Sequence, residues 1–231
     1  MAIASGYILM FFSEFYFLNE GPGAEFAERW VPHPFGIPSW LLGFSLYYAG
    51  WGCVMLTVIG LYRVRSFWSF LIARALFGWA VEGIVIPLIC EGMPGIIGWR
   101  SLGWHAVVDV VSGWYLVRRI LQKNNYLDTT ATAVALGLFW GVWCTWYWVE
   151  TRPRGESAIP PLPASVYVPY ALVLGILLIA ACVVTGKLGG REFKPTIFEI
   201  VLLTAWHVWR FYFGAFVAAP VASRGQPGGD R

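Results

Sequence analysis

The sequence predicts an all-α integral membrane protein, a polytopic bundle of about seven transmembrane helices, and two observations carry that prediction. Of 231 residues, 58% are hydrophobic and only 13% charged, against roughly 25% charged in soluble domains, and the mean hydropathy is +0.62. The apolar residues also fall into seven runs, near 3–18, 38–62, 67–90, 103–121, 129–149, 166–186 and 195–219. Residues 1–220 thus read as a single transmembrane helical domain. The remainder, 221–231, contains Gly-Gln-Pro-Gly-Gly and reads as a disordered tail. A net charge of +3, dispersed along the chain, argues against a nucleic-acid partner.

The first run is the shortest. Its 16 residues rise only ~24 Å against a hydrocarbon core of ~30 Å, so a half-helix or interfacial helix is the alternative, leaving six full spans. It lacks a basic start and a small-residue cleavage site and carries Glu14, so it reads as a retained helix. The second, fifth and sixth runs contain no Asp, Glu, Lys or Arg. The third carries Arg74 and Glu82, the fourth His105 and Asp109, and the seventh Glu199, His207 and Arg210.

Orientation follows from the basic residues. One set of connections holds Arg63, Arg65, Arg118, Arg119, Lys123, Lys187, Arg191 and Lys194; the other holds Arg29, Arg100, Arg152 and Arg154, with Arg224 and Arg231 in the tail. The richer set belongs in the cytoplasm. The protein is then expected in the cytoplasmic or inner membrane with its N-terminus inside and its C-terminus outside. The Pro-rich connections 19–37 and 150–165 fall together on the outer face.

Three helices carry ionisable stripes at helical spacing: Arg74, Gly78 and Glu82; Ser101, His105, Asp109 and Ser112; and Glu199, Leu203, His207, Arg210 and Gly214. A charge at the bilayer centre costs roughly 2.5–3.5 kcal/mol even on a lenient scale, so such residues are expected to face inward and pair. Counting 1.5 Å per residue from the outer boundary, Glu82, Asp109, His207, Arg210 and Glu14 lie roughly 6–18 Å deep, with His105 above them. Glu82, Asp109 and His105 are the expected catalytic residues, because buried carboxylates beside a base are what acid/base chemistry needs. Arg210, His207, Glu14, Trp79 and Trp206 are the expected substrate-binding residues, the two indoles contributing to an aromatic wall for an apolar or cationic substrate. Arg74 and Glu199, near the inner boundary, are expected to form a structural ion pair between the third and seventh helices.

Ser101, His105 and Asp109 at intervals of four, with His207 on the last helix, resemble zinc-dependent seven-helix amidases of the ceramidase type. That resemblance implies three ligating histidines. Position 211 is Phe and His33 lies in a loop, so no metal site is assigned. No Cys-x-x-Cys occurs, no lysine falls within a span to carry retinal, and no second signal supports a haem between His105 and His207, so no cofactor is expected.

These residues point to an intramembrane enzyme acting on a lipid or isoprenoid substrate through carboxylate acid/base chemistry, with membrane lipid or an apolar small molecule as partner. A small proton-coupled transporter fits the same buried charges. So does an accessory subunit of a larger membrane complex or homo-oligomer, in which polar stripes act as helix glue.

Overall fold

A computed structural model describes residues 1–15, 36–85, 94–95, 97–149, 164–189, 193–213 and 216. They are 90% helical, with no strand among the described residues. The helices, in chain order, are α1 (Ala2–Met10, continued by a π-helical turn, Phe11–Phe15), α2 (Gly36–Leu61), α3 (Phe67–Ala80, continued by a π-helical turn, Val81–Val85), α4 (Ile97–Val117, π-helical, continued by Arg118–Gln122, α-helical), α5 (Tyr126–Val149), α6 (Ala164–Leu188) and α7 (Ile197–Tyr212). Each overlaps one expected apolar run. The expected loops 19–37 and 150–165 and the tail 221–231 lie for the most part outside the described residues.

Two helices are long and apolar enough to cross a membrane, over Leu41–Leu61 and Tyr167–Leu188, and Ala2–Phe15 is a shorter apolar helix.

Side chains fix where the helices start. Ser66 accepts from the Ser69 amide at 3.1 Å while Ser69 Oγ accepts from the Ser66 amide at 3.2 Å, a reciprocal box that opens α3. Asn125 Oδ1 accepts from the amides of Leu127 and Asp128 at 3.0 and 3.2 Å and opens α5. Thr196 and Glu199 form a second reciprocal box at α7. Arg63 and Asn124, with φ of 49° and 52°, make the tight reversals that precede two of these starts.

The chain divides into two compact units. Unit 1 comprises Met1–Cys53 and Val111–Arg191, and unit 2 comprises Val54–Val110 and Glu192–Arg231. In unit 1, α1 is the buried centre: Ile8, Leu9, Met10, Phe11, Phe12 and Phe15 are all buried. A Cβ at Gly6 would lie 2.3 Å from the Tyr48 carbonyl oxygen, so only glycine lets α1 lie against α2 there. On its other side α1 packs on α6, and two tyrosines lock the pair: Tyr7 donates to Leu174 O at 3.2 Å and Tyr170 to Phe15 O at 2.6 Å. The second bond supplies a donor to a carbonyl at the end of α1, where the helical ladder leaves acceptors open. In unit 2, α7 packs on the π turn of α3.

Candidate functional site

Within unit 2, the stripe of α3 meets the stripe of α4. The contact is made through Gly78, where an added Cβ would come 2.0 Å from the Ser101 carbonyl oxygen and 3.5 Å from His105 Cβ. This close approach brings two polar side chains into hydrogen-bonding range. His105 Nε2 lies 3.0 Å from Glu82 Oε1, and His105 Nδ1 lies 2.8 Å from Asp109 Oδ2. Glu82 is 8% exposed, His105 7% and Asp109 1%. Phe77 and Val81 on α3 and Ala106 and Val110 on α4 are buried as well.

Spacing explains half of this cluster. His105 and Asp109 are four apart on α4, on one helix face, and their pairing is local. The bond to Glu82 crosses 23 positions and depends on Gly78. Backbone form adds a second common feature: Glu14, Glu82 and Asp109 all sit in π-helical segments, which occur often at functional sites.

The hydrogen bonds constrain the proton inventory. Each of the two contacts needs one proton, and a ring nitrogen and a carboxylate oxygen have two ways to supply it. An imidazolium between two carboxylates holds two protons. A neutral imidazole between one carboxylic acid and one carboxylate also holds two. Both forms carry a net charge of −1, so a proton moves between His105 and either acid without changing the charge of the cluster. At one end of the cluster Glu82 Oε2 is buried and makes no hydrogen bond among the described residues. The Ser101 hydroxyl is fully buried and also makes none, so a Ser-His-Asp nucleophilic arrangement is not assembled; the ring nitrogen that would activate a serine is taken by Glu82.

Arg74 is 1% exposed and lies over the rings of Phe70, at 4.6 Å, and Phe67, at 5.4 Å. Glu199 is exposed and its Oε2 accepts from the Thr196 amide at 2.7 Å and the Thr196 hydroxyl at 2.9 Å. The expected Arg74–Glu199 ion pair therefore does not form, because the carboxylate closes the first turn of its own helix. Thr-x-x-Glu before an apolar run is a capping-box pattern, and that sequence signal was available. His207 Nδ1 is bonded to the Leu203 carbonyl at 2.7 Å, one turn back, and Arg210 is half-buried.

Glu14, expected beside Glu82 and Asp109, belongs to unit 1, where Tyr48 donates to its Oε1 and lies 3.0 Å from Ser13 Oγ. Trp79 and Trp206, expected in an aromatic wall, are exposed at 38% and 44%. Trp206 instead pairs with Trp209 along α7, with ring centroids 5.3 Å apart. Among the described residues no cluster of His, Cys, Asp and Glu has the arrangement to hold a metal ion.

No protein-family model matches this sequence, and neither the curated proteins nor the solved structures contain a significant match.

Proposed function

We propose that this chain is a polytopic membrane protein that performs acid/base chemistry on a lipid or isoprenoid substrate at Glu82, His105 and Asp109. In this reading Glu82 exchanges a proton with the substrate through Oε2, His105 relays it, and Asp109 holds the ring and takes the opposing charge. The observation that carries the reading is the imidazole clamped between two buried carboxylates, with Glu82 Oε2 making no hydrogen bond among the described residues. Such a cluster lets the proton leave and return without a change in net charge elsewhere, which suits general acid/base catalysis in a low-dielectric site.

Membrane embedding is supported by the surfaces of α5 and α7. Among the described residues α7 buries no side chain, yet it presents Ile197, Phe198, Val201, Leu202, Val208 and Tyr212 outward. Leu127, Leu138 and Val142 do the same on α5. Wide exposed apolar faces of this kind suit lipid and are disfavoured in water.

The test is untargeted lipid mass spectrometry on vesicles made from a total lipid extract of the host and containing either the purified wild-type protein or Glu82→Gln. A lipid species that disappears with the wild type and persists with the variant supports the proposal. Identical lipid profiles in both vesicles refute it.

A further inference from the structure

A cavity of about 910 Å3 opens within unit 1, walled by α1, the end of α4, α5 and α6. Its volume is near the upper end of the range for small-molecule sites, roughly 300–1,000 Å3. The lining changes character along its length. At one end stand Phe11, Phe12, Leu136, Trp140, Gly175 and Leu178, all without charge. At the other stand Arg118, Gln122, Asn124, Thr129 and Lys187. From Thr129 to Trp140 along α5 is a rise of ~16 Å, close to the ~15 Å depth of one leaflet's hydrocarbon.

The polar end carries two cations and no acid among its lining residues. Asp128, the acid next to it in sequence, is 3.5 Å from Lys123. Arg118 lies over the Trp114 ring at 4.1 Å, which orients its guanidinium, while its Nε and Nη1 are buried and make no hydrogen bond among the described residues. A planar fork held in place beside the cavity, with donors unpartnered among the described residues, is suited to the oxygens of a phosphate. Basic pockets between helices at the cytoplasmic boundary are a recurring form of anionic lipid site. The apolar end is open for a physical reason: a Cβ built at Gly137 or Gly175 meets no atom within 4 Å.

We infer that this cavity binds one anionic phospholipid, its chains along the apolar end and its phosphate on Arg118 and Lys187. The inference does not depend on the chemistry assigned to Glu82, His105 and Asp109, and its readout is binding.

The experiment is native mass spectrometry of the full chain in a neutral maltoside detergent, titrated with dioleoyl phosphatidic acid, with dioleoylglycerol, and with inorganic phosphate alone. One phosphatidic acid per chain is expected, with dioleoylglycerol weaker by about ten-fold or more because it lacks the charge that the fork grips. Arg118→Gln/Lys187→Gln should weaken phosphatidic acid by a similar factor and leave dioleoylglycerol unchanged. Gly137→Leu/Gly175→Leu should abolish binding of both lipids, and the open space at both positions lets the chain fold with the added side chains. Equal affinity for the two lipids, several equivalent lipids per chain, or binding unaffected by either double variant would show a boundary lipid only and overturn the inference. Displacement of phosphatidic acid by inorganic phosphate would overturn it in favour of a free-anion site. If the leucine variant does not fold, the glutamine variant still decides.

Discussion

Removing the imidazole of His105 is expected to destabilise the protein far more than neutralising either acid beside it. His105→Ala leaves Glu82 and Asp109 without the partner that both share, and all three groups are at most 8% exposed, so solvent screens little of the loss. Breaking a buried charged pair from one side costs about 3–5 kcal/mol. In a chain of this size that corresponds to a fall in melting temperature of roughly 6–20 °C, at ~2–4 °C per kcal/mol. Glu82→Gln behaves differently. Its amide N–H donates to Nε2 while the Nδ1 proton goes to Asp109, so both contacts survive and the cost stays within about 1 kcal/mol. Thermal unfolding of detergent-solubilised protein followed by circular dichroism measures both. If His105→Ala melts within ~2 °C of the wild type, a shift smaller than 1 kcal/mol produces, or if Glu82→Gln falls as far as His105→Ala, the proton-sharing cluster is wrong.

Three other outcomes follow from the same structure. Gly78→Val places a branched side chain where even a Cβ would lie 2.0 Å from the Ser101 carbonyl; the two helices must separate, and overpacking of this kind should cost about 1–3 kcal/mol or more, read as a fall in melting temperature. Tyr170→Phe removes the 2.6 Å bond to the Phe15 carbonyl and should cost about 0.5–1.5 kcal/mol, more if the carbonyl stays buried and unpaired, read as a shift in melting temperature. Cysteine-accessibility labelling should place residues 19–37 and 150–165 on one side of the membrane and 187–194 on the other, and labelling of both sets from one side overturns the orientation.

Helix positions were legible because long apolar runs bounded by Ser66, Asn125 and Thr196 leave little choice of boundary. The pairing of His105 with Asp109 was legible for a similar reason, since spacing of four dictates a shared face. Glu82 was expected beside them from depth alone. What spacing does not encode is which polar group a side chain satisfies first. Glu199 took the nearest donors, on Thr196, before any longer reach to Arg74, and His207 took a carbonyl on its own helix. Glu14 belongs to unit 1, and its partner Tyr48 gives no signal in sequence beyond being aromatic. The cavity of unit 1 was missed because its basic end, Arg118 and Lys187, reads as ordinary cytoplasmic flanking charge, and its walls come from four helices whose arrangement no local pattern reveals.

The central claim rests on proton exchange at Glu82, His105 and Asp109, and turnover per folded molecule in Glu82→Gln and Asp109→Asn tests it most directly. The substrate is the lipid consumed in wild-type vesicles, and folded protein is quantified on the same preparations. The account predicts melting temperatures close to wild type with conversion lost in both variants, because each amide fills the same volume and keeps the hydrogen bonds but has no acid proton to give or take. Full activity in both amide variants, or activity that falls only in proportion to the folded fraction, would contradict it.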